Sequence, residues 1–169
     1  DEHEEFLKLI KELNGDWKKR IDDLDVFWFE WKEEHRGRKY LMHLLNIVKN
    51  HFDLSSAIGY ETWIRMNTRP RDWHRDHDDR LEMTTGELKY PICTTVYYPY
   101  VDENVKDGRL CFENGTIILP KTNRMAFFGP DIYHNVEPFK GERLSILLNP
   151  WNEPLCQTPC YDPWRRYMV

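Results

Sequence analysis

Trp73-His74-Arg75-Asp76-His77-Asp78-Asp79 is the stretch from which the organisation of this 169-residue chain can be worked out. It follows a segment with the two-residue period of a β-strand, and a strand turns alternate side chains to the same face. His74 and Asp76 are therefore expected to share a face, and so are His77 and Asp79. An imidazole beside a carboxylate supplies two of the three groups of the 2-His-1-carboxylate set that holds non-haem Fe(II).

The third ligand is expected at His134, which lies in a short strand-like run after the turn Gly129-Pro130-Asp131. Arg143 follows nine residues later, and Ser145 shares its strand face. Fe(II) held on one octahedral face keeps three positions, enough for a 2-oxo acid and O2. A guanidinium binds a distant carboxylate bidentately, which lysine does less well, and a hydroxyl completes such a pocket.

The pattern His-x-Asp is weak when it stands alone. It occurs twice here, at His74-Arg75-Asp76 and at His77-Asp78-Asp79, and Asp78-Asp79-Arg80 also has the composition of a solvated acidic loop. The residues by themselves therefore leave two registers open for the same metal site.

Charge and composition exclude several function classes. The chain carries 24 basic and 29 acidic residues, a net charge of −5, and no polybasic block. A nucleic-acid or anionic-membrane surface requires positive charge, so neither partner is expected. No apolar run approaches the ~20 residues of a membrane span. Cytoplasmic localisation is the expectation, and whether Cys156 and Cys160 pair is left open.

The periodicity predicts a single domain over 1–169 that is mainly β with N-terminal helices. Apolar spacing predicts helices over 3–14 and 38–52 within a helical support, 1–57, in which residues 24–31 fit helix or strand equally. The core, 58–151, reads as many short strands, and 80–90 as a polar loop. An irregular tail, 152–169, follows. Such strand spacing is typical of a sandwich or jelly roll, with the helices bracing one sheet.

From about residue 60 to 151 the sequence resembles the Fe(II)/2-oxoglutarate-dependent dioxygenases, and among them the prolyl-hydroxylase-like branch. The resemblance rests on the order and spacing of six short motifs, each weak alone: Trp73-His74-Arg75-Asp76, Val96-Tyr97-Tyr98, Asp107-Gly108-Arg109-Leu110, Arg124-Met125-Ala126-Phe127-Phe128, His134-Asn135-Val136-Glu137-Pro138 and Arg143-Leu144-Ser145.

The resemblance implies a double-stranded β-helix (jelly roll) and favours the His74 register over His77. It implies that His74, Asp76 and His134 bind Fe(II). It further implies that Arg143, Tyr98 and, less directly, Ser145 hold the distal carboxylate of 2-oxoglutarate.

Two residues, Asp107 and Asp76, show how closely this sequence follows the pattern of the family it resembles. Asp107 stands where the pattern has the first glycine of Gly-Gly-x-Leu, so a slightly altered turn is expected. A carboxylate at Asp76, where related halogenases have a small residue, favours hydroxylation.

The reaction so implied is O2-dependent hydroxylation of an unactivated C–H bond, with release of succinate and CO2. Its substrate would be an amino acid, a peptidyl residue or another small metabolite. Five arginines fall within sixteen residues near the expected barrel mouth and are candidates for binding an anionic substrate group: Arg65, Arg69, Arg71, Arg75 and Arg80. Two other readings are a cupin-like metal-binding module and a catalytically silent jelly roll that serves as an interaction domain.

Overall fold

The computed structural model describes residues 1–14, 26–66 and 70–156. The helices are α1 (Glu2–Asn14), α2 (Arg38–Val48) and α3 (Asp79–Thr85). The strands are β1 (Phe27–Glu30), β2 (Gly59–Arg65), β3 (Arg71–His74), β4 (Thr94–Val101), β5 (Lys106–Asp107), β6 (Leu110–Phe112), β7 (Ile117–Ile118), β8 (Arg124–Phe128), β9 (His134–Val136), β10 (Phe139–Lys140) and β11 (Arg143–Trp151).

Two antiparallel sheets form the jelly-roll core, which confirms the predicted fold class. The larger sheet has the order β1-β2-β11-β4-β8 and the smaller one β3-β9-β6-β7, while β10 and β5 form a separate pair. Apolar side chains from both sheets meet in one buried cluster that includes Val96 and Tyr98 of β4, Leu110 of β6 and Leu147 of β11. This cluster fills the interior of the roll.

The helices α1 and α2 cover the outer face of the larger sheet, as predicted. Ile10 and Leu45 are almost completely buried, and they belong to one cluster with Tyr60 of β2 and Ile146 of β11. The apolar stripe of each helix therefore faces the sheet while its charged side faces water. Full burial of each such side chain contributes roughly 1.5–3 kcal/mol.

Strand β11 is the centre of the larger sheet, paired with β2 on one side and β4 on the other. All nine of its residues are buried, because one face meets the helices and the other the interior of the roll. Its even-numbered residues Leu144, Ile146 and Leu148 belong to the helix-side cluster. The interior therefore receives the odd-numbered residues, among them Arg143 and Asn149.

Strand β4 has an irregularity opposite β11. The pairing runs from Leu144–Tyr100 to Ile146–Tyr97, so β4 has one extra residue in this interval. Pro99 lies in this interval, and proline is typical of such irregular positions because it has no N–H to donate to the ladder. Tyr97 joins the helix-side cluster and Tyr98 the interior one.

The structure differs from the sequence prediction between residues 78 and 90. The predicted polar loop contains α3, and Asp78 is its buried N-cap, with Oδ1 accepting from the Leu81 N–H at 3.0 Å. The second carboxylate oxygen of Asp78 accepts from the Cys156 N–H at 2.6 Å. The segment 24–31, equally compatible with helix or strand, contributes the edge strand β1. Most of the predicted tail and Cys160 lie outside the described residues.

Among the residues that the structure describes, no helix combines the length and apolarity needed to cross a membrane.

Candidate metal and cosubstrate site

His74, Asp76 and His134 converge in the structure, as the sequence predicted. His74 ends β3, His134 begins β9, and the antiparallel pairing places these two residues opposite each other. One ligand atom from each of the three side chains lies within 4.8 Å of the other two. His74 Nε2 is 3.5 Å from Asp76 Oδ1. Neighbouring donors on one octahedral face, about 2.1 Å from a metal, lie about 3 Å apart, so the three side chains would have to move closer together to bind a cation.

Both histidine rings are oriented by a hydrogen bond to the backbone carbonyl oxygen two residues earlier in the chain. His74 Nδ1 lies 2.6 Å from the Asp72 carbonyl oxygen, and His134 Nδ1 lies 3.0 Å from that of Ile132. A carbonyl oxygen only accepts, so each Nδ1 carries the proton and each Nε2 presents a lone pair. This tautomer and ring orientation suit a histidine that binds a metal through Nε2.

The charges within the three-residue group favour ligation. Burial alone would raise the pKa of Asp76, but His74 and His134 lower it when their rings are protonated, His74 through a hydrogen bond and both through their charge. Burial lowers the pKa of His134, against the opposing charge of Asp76. At neutral pH the group therefore consists of a carboxylate and a neutral His134, the forms that bind metal.

His77 belongs to a different group, with Asp79 and Glu82. Its Nε2 is 2.7 Å from Glu82 Oε2 and 3.3 Å from Asp79 Oδ1, while its Nδ1 meets the Arg75 carbonyl oxygen at 2.9 Å. Burial would lower the pKa of His77, but these hydrogen bonds and carboxylates raise it. An imidazole between two exposed carboxylates favours an ion-pair arrangement, whereas Asp76 and His134 of the other group are buried.

Two buried polar residues beside Asp76 were missed in the sequence. Asn149 of β11 is fully buried, and its Nδ2 donates to Asp76 Oδ2 at 3.3 Å and to Glu61 Oε1 at 3.1 Å. Its Oδ1 accepts from the Thr95 N–H at 3.2 Å, which fixes the amide orientation. This holds Asp76 Oδ2 and leaves Oδ1 facing His74. The sequence feature that could have identified these two residues is the presence of an acid in β2 and of an amide in β11, because the remaining pattern of both strands predicts burial.

The pH dependence of the free energy of unfolding provides a test of the buried position of Glu61. Burial, with the charge of Asp76 second, raises the pKa of Glu61 to about 8 from an ordinary 4.5. The folded state therefore favours the protonated acid, whose stabilising effect is complete below pH 4.5 and is lost as pH rises toward 8. Glu61→Gln keeps a neutral acceptor for Asn149, so we expect the variant to gain up to about 4 kcal/mol relative to the parent between pH 5 and 8. Urea unfolding of the metal-free proteins measures this, and parallel pH profiles would contradict it.

Arg143 lies at the other end of the same strand, with only 6% of its surface exposed. Its Nη1 donates to the Gly108 carbonyl oxygen at 2.6 Å, and its guanidinium carbon is 4.0 Å from the centre of the Phe139 ring. The Tyr98 ring centre is 5.5 Å away. A buried, oriented guanidinium beside a phenol is a suitable receptor for a carboxylate.

The other two predicted cosubstrate residues also face the interior. Burial raises the pKa of the Tyr98 phenol, against the cations Arg143 and Arg124, so the phenol stays protonated and can donate to an anion. Ser145 is buried two residues from Arg143, and its hydroxyl meets the Arg65 carbonyl oxygen at 3.5 Å. The structure therefore brings Arg143 and Tyr98 together and places Ser145 next along β11.

The turn that supports Arg143 explains the departure from the glycine pattern. Asp107 adopts a left-handed φ of 65° and Gly108 a φ of 71°. Asp107 therefore keeps the backbone conformation that a glycine would take. A Cβ on Gly108 would lie 2.6 Å from Arg143 Nη1 and 2.8 Å from Phe139 Cβ, so this position has no room for a side chain.

We expect Gly108→Ala to destabilise the fold by about 2–4 kcal/mol, through left-handed strain and displacement of Arg143. Asp107→Gly is the matched control and should change the free energy of unfolding by about 1 kcal/mol or less, because it relieves strain but loosens the unfolded chain. Chemical denaturation of both variants measures the difference, and equal effects would refute the close contact at Gly108.

A cavity of about 300 Å³ opens beside the three-residue group. Its walls include Arg65, Arg71 and Arg75, together with Trp63 and Glu61. The structure thus brings together three of the five arginines singled out in the sequence. Arg80 lies on α3 and is not among the lining residues, and Arg69 is outside the described residues.

No protein-family model matches the chain, and no curated protein matches it. Solved structures do. A Pseudomonas putida prolyl-4-hydroxylase is 17% identical, with a TM-score of 0.59 over 90% of this chain and 88% of that one. A viral collagen prolyl hydroxylase from Paramecium bursaria Chlorella virus-1, in a 2OG complex, is 20% identical, with a TM-score of 0.53 over 88% and 90%. A Trichoplax adhaerens prolyl hydroxylase with a hypoxia-inducible-factor peptide fragment is 17% identical, with a TM-score of 0.54 over 88% and 76%.

These comparisons establish that the chain has the fold found in 2-oxoglutarate oxygenases. At 11–20% identity they do not assign a reaction, which has to be argued from the residues of this chain.

Proposed function

We propose that this protein is a non-haem Fe(II)/2-oxoglutarate-dependent oxygenase that hydroxylates an unactivated C–H bond. Fe(II) would be held by His74, Asp76 and His134, and 2-oxoglutarate by Arg143 with Tyr98 and Ser145. The observation that carries the proposal is the convergence of two Nδ1-protonated histidines and one ionised carboxylate on a shared point. The substrate would be an amino acid, a peptidyl residue or another small metabolite.

The chain's own residues would divide the work by position. Asn149 orients Asp76, and backbone carbonyl oxygens orient the two imidazoles. Arg143 would bind the distal carboxylate of 2-oxoglutarate while Tyr98 donates to the same group. With O2, bound iron and 2-oxoglutarate would supply the oxidising power, and succinate and CO2 would leave. The interior apolar cluster keeps water from the cosubstrate end.

Anaerobic titration of the metal-free protein with Fe(II) and 2-oxoglutarate tests the proposal. Chelation of iron by the keto acid should produce a weak visible charge-transfer band. A second titration should show that each protein molecule binds one Fe(II) and one 2-oxoglutarate. O2-dependent succinate release that requires 2-oxoglutarate then separates an oxygenase from a cupin-like metal protein.

Two results would count against the proposal. A protein that binds Fe(II) but forms no band with 2-oxoglutarate would be better described as a cupin-like module. A protein that binds neither would be a silent jelly roll. Loss of the band in His77→Ala, with retention in His74→Ala, would instead move the site to the other His-x-Asp register.

A further inference from the structure

Two of the three proposed metal ligands come from an edge strand and the residues directly after it. In the described part of the chain, β3 pairs with β9 alone, while β9 also pairs with β6. The pairing of β3 joins Arg71 to Val136 and His74 to His134, with an irregularity in between. Asp76 lies two residues beyond the end of β3. Backbone pairing therefore supports His74 and Asp76 less than it supports His134.

The outer face of this strand pair carries two aromatic side chains. His74 and His134 are direct cross-strand partners, and their ring centroids are 4.3 Å apart. Trp73 and Tyr133 each precede one of these histidines, so strand alternation turns them to the opposite face. Trp73 is 44% exposed and Tyr133 38%, in agreement with that orientation. Ligands and aromatic rings thus occupy opposite faces of the same two strands.

The exposed rings stack across the two strands. The Trp73 and Tyr133 centroids are 6.0 Å apart with 11° between planes, and the Arg75 guanidinium carbon is 5.3 Å from the Tyr133 ring centre. Continuing the register of the strands by one residue places Arg75 opposite Tyr133 and Trp73 on the diagonal, within reach of aromatic side chains. Tyr133 is fixed to the sheet, because its carbonyl oxygen accepts from the Glu113 N–H at 3.1 Å. These three side chains, the outer stack, therefore join both neighbours of His74 to a fixed point.

We propose that the outer stack positions the metal ligands: it holds β3 against β9, so that the side chains of His74 and Asp76 meet that of His134. This inference rests on the proposed function, because it takes these three residues to bind the metal. An edge strand with a short ladder opens locally at low cost, and the apparent affinity for a ligand falls with the fraction of molecules whose site is assembled. The outer stack thus acts on metal binding through the strands, without contacting the metal.

Trp73→Ala should weaken binding of Fe(II), or of Co(II) as a substitute ion, by about three- to tenfold, because an aromatic pair shifts an equilibrium by about that factor. Tyr133→Ala also removes the cation–π contact with Arg75, so its loss should be larger. Trp73→Phe keeps a ring in the stack and should retain affinity within about twofold. Anaerobic calorimetry and Co(II) visible spectra of the metal-free proteins, well below the melting temperature of each variant, measure these affinities.

A double-mutant cycle isolates the contact between the two rings. The variant that combines Trp73→Ala with Tyr133→Ala should lose clearly less affinity than the product of the two single losses, because either change alone already breaks the stack. Ile117→Ala is the matched control. Ile117 is also exposed, at 52%, but it lies in β7, which pairs with β6. This control should leave the metal affinity unchanged.

The measurements separate positioning of the ligands from a merely structural role. Alanine variants that melt at a lower temperature but bind metal as the parent does would overturn the inference. So would single losses that multiply fully in the double variant, a loss in Trp73→Phe equal to that in Trp73→Ala, or an equal loss in Ile117→Ala.

The proposed function is tested separately by the parent protein and His134→Gln. If the parent binds Co(II), loses affinity in His134→Gln and keeps it in Trp73→Ala, the proposed metal site stands and only the role of the outer stack is refuted. A parent protein that binds neither ion refutes the proposed function and this inference with it.

Discussion

Replacing His134 with alanine is expected to lower Fe(II) affinity by more than 100-fold and to abolish succinate release. His134 is 3% exposed and supplies one of only two imidazoles in the buried donor set. Loss of a partner that merely orients a ligand already costs roughly 10–100-fold in metal affinity, and His134 is proposed as a ligand itself. The affinity is measured by anaerobic calorimetry and by the visible spectrum of Co(II) as a substitute ion.

The alanine variant also leaves a space, since the His134 ring packs 4.8 Å from the Phe128 ring centre. His134→Gln largely fills that space and should fold normally while still binding metal poorly. His77→Ala is the control for the other register and should retain metal affinity within about threefold. Wild-type affinity in His134→Gln together with a loss in His77→Ala would reverse the assignment.

The second large effect is expected at Arg143, where methionine should weaken 2-oxoglutarate binding by about 2–5 kcal/mol, at least 30-fold. The guanidinium is buried between Phe139 and Tyr98, so in the variant water could not replace it as the partner of the proposed cosubstrate carboxylate. Arg143→Lys keeps the charge without the planar fork and should lie between the parent and the methionine variant.

A thermal shift assay in the presence of a fixed metal gives a direct readout of this prediction. Ligand at 100 times its dissociation constant stabilises a protein by about 2.7 kcal/mol, so the parent should melt at a higher temperature with 2-oxoglutarate. At the same ligand concentration, Arg143→Met should keep about a third or less of this stabilisation, so 2-oxoglutarate should raise its melting temperature much less, at unchanged metal affinity. An undiminished shift in this variant would place the cosubstrate elsewhere.

The fold was accessible from the sequence because its elements have strong periodicity. The apolar stripes of α1 and α2 match the period of a helix. The run of β-branched and aromatic residues in β4 matches a strand. Helix α3 was missed because none of its residues is buried, so it leaves no apolar stripe to read. It depends on the cap at Asp78, which resembles one more acid in an acidic run. Segment β1 was ambiguous because Phe27–Glu30 is too short to show a period.

The site was only partly accessible from the sequence, for a related reason. His74, Asp76 and His134 were predicted because they are chemically distinctive and appear in a recognisable order, and the structure brings them together. Asn149 and Glu61 come from two different strands, and their proximity to Asp76 depends on the register between β2 and β11. Spacing along the chain carries no information about that register.

The position of β11 also has a consequence for synthesis of the protein. Chains emerge from the ribosome N-terminus first, and the strand that joins β2 to β4 is the last one described. Until Trp151 has emerged, β2 and β4 each expose an unpaired edge, and Asp76 has no Asn149 beside it. A nascent chain that stalls between His134 and Trp151 therefore carries all three proposed metal ligands on or beside the smaller sheet, while β2 and β4 of the larger sheet still expose unpaired edges, which is a state that favours aggregation.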